Sequence, residues 1–180
     1  MKLLITTAAL AGTLFVPSST NEPSARSITA APTTLHCQVP CGIYGDAMRI
    51  DMLMEDCATI EKGMQQLQAM DESEAPSKNQ MVRWVMTKDD HAQKIQTMVA
   101  SYWLAQRIKS PKEDSAGARA KYRDQLELMH QMTVSAMKCK QTTDTSHVDA
   151  LRAAALKFSG LYFKAEDLKH IQEHHAGGHK

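Results

Sequence analysis

His36, Cys37 and Cys41 fall within six residues of one another, in the stretch "HCQVPCGIY" from His36 to Tyr44. Pro40 forbids helical continuation and biases the residue before it toward extended backbone, while Gly42 relieves the backbone beyond the second thiol. The chain therefore bends between the two sulfurs. Two thiols four residues apart on such a bend can close on a metal ion or on each other as a disulfide, and export of the chain would favour the disulfide. An imidazole beside the thiols makes a mixed nitrogen and sulfur donor set suited to zinc, copper or nickel. Three side chains leave a zinc site incomplete, and no obvious fourth ligand stands nearby in the sequence. If proteolysis makes His36 the N-terminus, its α-amine and the Cys37 amide nitrogen become in-plane donors. Two nitrogens and two thiolates in one plane suit Ni(II) or Cu(II) better than tetrahedral zinc, with the imidazole free to approach along the axis.

The pattern His-Cys-x-x-Pro-Cys-Gly-x-Tyr resembles the nickel hook of the nickel superoxide dismutases, its fixed positions filled here by His36, Cys37, Pro40, Cys41, Gly42 and Tyr44. The resemblance implies an all-α, antiparallel four-helix bundle with an N-terminal metal-binding hook, one nickel ion per chain and a homohexamer. It also implies cleavage between Leu35 and His36 by a processing protease. The activity it implies is disproportionation of superoxide to dioxygen and hydrogen peroxide as the metal cycles between Ni(II) and Ni(III). Carried over by position, the ligands are the amine and imidazole of His36, the amide and thiolate of Cys37, and the thiolate of Cys41. Tyr44 then stands at the open face as a gate that orders the small anion and its waters, and with the three ligand residues it makes up the catalytic set. Behind it, Pro40 and Gly42 shape the hook. The acid that orients the ligand histidine falls on Asp51 after one deletion between Tyr44 and Arg49, an Asp where the family would have Glu. A basic residue of the second helix is replaced by His91, and Gln38 stands where some members carry an acid.

Other residues with donor chemistry have blander readings. Cys57 lies on a helical apolar seam and Cys139 near a helix end, which is how core cysteines are placed, with a Cys57 to Cys139 disulfide as the alternative in an oxidising compartment. Glu127 and His130 form a single E-x-x-H, whereas a carboxylate-bridged di-iron bundle needs that motif twice with two more glutamates. His130 is expected at the surface or an interface. The tail "HIQEHHAGGHK" holds His170, His174, His175 and His179, with His170 and His174 on one helical face. It reads as a solvated tail with weak metal affinity, or as a nickel-capture segment.

The elements that must carry the hook are legible from periodicity. The opening "MKLLITTAALAGTLFV" has the charge and apolar length of a signal peptide rather than of a membrane span. The Pro, Ser and Thr-rich segment after it is easily proteolysed. Residues 1–35 are thus signal peptide and cleaved leader, 36–44 the hook, 45–165 the bundle and 166–180 the tail. Ile50, Leu53, Cys57, Ile60, Met64 and Leu67 make one seam on a first helix. A second helix is expected from about Gln80 to Lys109 through Ala92, Ile95, Val99 and Tyr102, ended by Pro111. The third runs from about Ala118 to Lys140 through Tyr122, Leu126, Met129, Thr133 and Ala136. A fourth starts at Ser146, where Ser146 and Asp149 resemble a capping box, and continues through Val148, Leu151, Ala155, Phe158 and Tyr162. Trp84 and Trp103 are expected to pack against the bundle or a neighbouring subunit.

Formal charge is +1 over 180 residues, and removing Lys2, Glu22 and Arg26 with the leader brings the rest to zero. No basic stripe is present, which argues against nucleic acid or an anionic membrane as partner of the mature form. Steering of a charged substrate must be local rather than global. The leader points to a periplasmic or extracellular location, or alternatively a plastid. A carrier that binds nickel or copper without turnover is the competing function, and a structural bundle closed by a Cys37 to Cys41 disulfide a third.

Overall fold

The computed structural model describes residues 44–113 and 115–165. His36, Cys37, Gln38, Pro40, Cys41 and Gly42 lie outside them, as do the leader and the histidine tail. Helices α1 (Asp46–Asp71), α2 (Lys78–Met98), α3 (Ala116–Gln141) and α4 (Ser146–Tyr162) follow in order, and no strand occurs among the described residues. Each packs on its neighbour in sequence and α4 closes back on α1, the arrangement of an all-α four-helix bundle. No helix among the described residues is long and apolar enough to cross a membrane.

The seam expected on α1 is the one observed: Ile50, Leu53, Cys57, Ile60, Met64 and Leu67 are all buried. Gly63 sits on the same helix facing α2, where a Cβ would come within 3.4 Å of Lys88 Cβ, so a small residue lets the two helices approach. On α4, Val148, Leu151, Ala155 and Phe158 are buried as expected, with Tyr162 half-buried at the end.

Three expectations need correction. The second helix is not a single α-helix to Lys109. It changes at Val99 to a π-helix running to Arg107, whose closing bond from Ile108 N to Trp103 O spans five residues at 2.9 Å. On α3 the buried line is Gln125, Leu128, Met129, Met132, Ala136 and Cys139, while Tyr122, Leu126 and Thr133 lie half-buried on its flank. Apolar residues stand on both lines, and the buried Gln125 carries no hydrophobic signal. The capping box at Ser146 is absent: Thr145 is the cap residue and makes no side-chain cap, while Asp144 Oδ1 accepts from Ser146 N at 2.9 Å. Among the described helices, α3 has a side-chain cap, where Ser115 Oγ accepts from Ala118 N at 3.2 Å.

Lys88 is 2 % exposed. Its Nζ donates to Cys139 O and Lys140 O, both at 2.7 Å, and to Asp89 at 2.9 Å. The first two are carbonyls left over in the last turn of α3, where a cation also meets the negative end of the helix dipole. Lys88→Met is expected to destabilise the protein by about 2–4 kcal/mol, since it leaves these acceptors buried and unpaired. Urea denaturation measures this, and a midpoint equal to wild type would refute the cap.

Candidate metal centre

Just beyond the hook, Asp46 opens α1 and gathers four donor groups onto one carboxylate. Arg107 Nε donates to Oδ1 at 2.9 Å and Arg107 Nη2 to Oδ2 at 2.5 Å; Tyr102 Oη donates to Oδ1 at 2.5 Å and Tyr162 Oη to Oδ2 at 2.6 Å. Burial alone would raise the pKa of this carboxyl, but the bonds from Arg107, Tyr102 and Tyr162 and the charge of Arg107 outweigh it and hold it below its ordinary value. Burial and the bond to Asp46 push Tyr102 up to about 12, so its phenol stays protonated and remains a donor.

Tyr102 and Arg107 reach the same carboxylate because they lie on the π segment. Residues five apart on an α-helix diverge by about 140°, and the wider turn of i→i+5 bonding narrows that divergence. Trp103, fully buried on the same segment, holds the layer in place through edge contacts with Tyr102 at 5.0 Å, Tyr162 at 4.9 Å and Phe158 at 5.1 Å. Trp103 therefore packs within the bundle, one of the two alternatives expected for it.

Tyr44, the last residue of the hook, is the described site residue that this layer grips. The Arg107 guanidinium lies 4.1 Å from its ring centroid, and Tyr102 meets it edge-on at 6.0 Å. The ring is still 39 % exposed, so it is oriented without being buried. Asp51 lies half-buried one turn further along α1. His91 Nδ1 pairs with Asp56 Oδ1 at 2.6 Å, joining α2 to α1. The sequence reading missed Asp46, Tyr102, Arg107 and Tyr162 as a group. Asp46 was detectable as an acid in a first helical turn, but its partners are 56 to 116 residues away.

Donor chemistry elsewhere in the bundle is poor. Cys57 and Cys139 are free thiols, fully buried. Burial pushes Cys57 up to about 12 and Cys139 up to about 11, so both are neutral thiols in the bundle as described. Glu127 and His130 are both exposed, so the lone E-x-x-H does not face the core. Among the described residues no three His, Cys, Asp or Glu side chains converge in a way that could hold a metal.

The family model described as nickel-containing superoxide dismutase matches residues 28–166, a span that takes in the hook stretch and the whole bundle. The chain belongs to the nickel-containing superoxide dismutases. Comparison with curated proteins and with solved structures gives no match. As a nickel superoxide dismutase it is an oxidoreductase that converts superoxide to dioxygen and hydrogen peroxide with nickel as its metal. Nickel in a redox role calls for thiolates, and the two cysteines of the chain other than Cys57 and Cys139, namely Cys37 and Cys41, lie outside the described residues.

Proposed function

We propose that the nickel of this dismutase is held by the α-amine and imidazole of His36, the amide nitrogen and thiolate of Cys37 and the thiolate of Cys41, in a chain cut between Leu35 and His36. When bound there, nickel supplies a one-electron couple between Ni(II) and Ni(III), which thiolate and amide donors bring within reach. The observation that supports the assignment is that, in a chain of this family, no group of His, Cys, Asp or Glu side chains that could hold a metal occurs among the described residues, while a built footing stands directly after the hook.

The protein's own groups act around that centre. Asp46 fixes Arg107, and Arg107 with Tyr102 fixes the ring of Tyr44. The phenol of Tyr44, held beside the hook and open to solvent on one side, orders a small anion and its waters and narrows the way in. Pro40 and Gly42 set the bend, and Asp51 orients the ligand imidazole as an outer partner. The mature chain is exported to the periplasm or exterior, with a plastid as the alternative. It forms a homohexamer, for which Met48, Met52, Val82, Val85 and Met86, left exposed on α1 and α2, supply apolar surface.

The test is intact mass, N-terminal sequencing and nickel content on one sample purified from the native source. A chain beginning at His36 with about one nickel per chain, as one square-planar donor set permits, is the expected result. Full activity in a chain that keeps residues ahead of His36 would overturn the assignment of the amine donor.

A further inference from the structure

A cavity of about 600 Å³ opens along α1, α2 and the π segment and shares Tyr102 with the footing of Tyr44, its wall also including Arg49, Asp90, His91, Lys94 and Ser101. Its cations are poorly matched by protein acceptors. Arg49 Nε is buried with no hydrogen-bond partner. The rest of the group stacks over Tyr102 at 4.9 Å and points Nη1 at Met52 Sδ at 4.0 Å, a weak acceptor. Lys94 Nζ meets His91 Nε2 at 3.5 Å, and the carboxylate nearest that imidazole, Asp56, is taken by its other nitrogen. Asp90 offsets one charge, which leaves the cavity net positive in a mature chain of zero formal charge. Nε is enclosed, so the guanidinium nitrogens that an entering acceptor would meet are Nη1 and Nη2, whose protein contact among the described residues is the weak one from Nη1 to Met52 Sδ.

We propose that this cavity is a binding site for a small inorganic anion, with Arg49 and Lys94 as its cationic ligands, and that it gathers superoxide beside Tyr44. Binding of the anion stands on the cavity alone; the gathering role rests on the hook assignment above. Tyr102 connects the two places, since one face of its ring carries Arg49 while its edge meets Tyr44. A local cation of this kind raises the encounter rate of an anion without needing net charge on the protein, and its effect fades as salt screens it.

The experiment uses the nickel-loaded mature enzyme as wild type, Arg49→Gln, Arg49→Lys and Lys94→Gln, with inorganic phosphate as probe. Calorimetric titration should show phosphate binding to wild type, weakened about tenfold in Arg49→Gln by loss of a charge-assisted donor. In pulse radiolysis the second-order rate constant for superoxide should fall about three- to tenfold in Arg49→Gln and Lys94→Gln at low ionic strength and converge on wild type at high salt. Arg49→Lys should keep the wild-type salt dependence, which separates a charge effect from a packing defect. Phosphate should slow wild type and leave Arg49→Gln nearly unaffected. Unchanged phosphate affinity in Arg49→Gln overturns the site. Phosphate that binds without slowing superoxide overturns the gathering role. If the hook assignment itself is wrong, Cys37→Ser will keep its activity while the phosphate titration still decides the cavity.

Discussion

Cys37→Ser and Cys41→Ser are each expected to empty the enzyme of nickel and abolish dismutation, and Cys57→Ser and Cys139→Ser to leave both intact. The contrast follows from surroundings rather than from the residue type. A serine hydroxyl is not deprotonated near neutral pH and offers nickel none of the electron density that a thiolate does. The loss should therefore exceed the roughly 10–100-fold typical of disturbing only a ligand's outer partner. In the bundle the same exchange puts a hydroxyl into apolar surroundings at fully buried positions and should cost about 1–3 kcal/mol of stability. Nickel per chain by elemental analysis, activity and a urea midpoint on all four variants separate the two classes. A folded Cys57→Ser protein without nickel would place the metal in the bundle and sink the hook assignment.

Asp46→Ala is the second large effect. It removes the shared acceptor of Arg107, Tyr102 and Tyr162, so a guanidinium and two phenols lose their partner at once. The carboxylate side chain is 17 % exposed and that of Arg107 26 %, so the penalty is discounted for partial solvation, to about 2–4 kcal/mol. Activity should fall as well, because Arg107 is then no longer held over Tyr44. The pH dependence has a definite sign. Since the carboxyl titrates below its ordinary value when folded, its contribution is complete above the unfolded aspartate pKa and is lost as pH falls through the lower folded one. Wild type should thus lose stability on acidification below about pH 4, the ordinary aspartate value, and Asp46→Asn should show a shallower slope there. Thermal unfolding from neutral pH down to the acid limit, run on wild type, Ala and Asn variants, measures both. Equal melting temperatures at neutral pH would show that the carboxylate is not the footing.

The bundle was legible because burial in it follows a period. Six apolar residues on α1 spaced by threes and fours can face only one way, and they do. The same rule slipped on α3, where Leu126, Leu128, Met129 and Met132 allow two neighbouring seams and the true one includes Gln125. The family was legible because the motif residues from His36 to Tyr44 are neighbours in sequence, while the hook's own geometry lies outside the described residues. The footing beneath it was not, since nothing in Tyr102 or Arg107 announces that the helix between them changes from four-residue to five-residue bonding. Without that change they read as residues on different faces. A π-turn has no residue signature of its own; it is selected by the contacts it makes possible.

The bond from Tyr162 to Asp46 spans 116 residues, and it bears on timing. Contacts so far apart in the chain form late, because the loop between them must be closed first. The footing of the metal site is therefore finished only when the last helix has docked. During synthesis the hook emerges early, but the carboxylate behind it has neither Tyr102 and Arg107 nor Tyr162 until the chain is nearly complete. If the chain is cut before His36 as proposed, a leader that stays in place through this interval would keep the amine of His36 out of reach until there is a folded body to receive it. On that proposal, the order in which the chain is made and cut would keep the hook from completing its donor set before the body is folded.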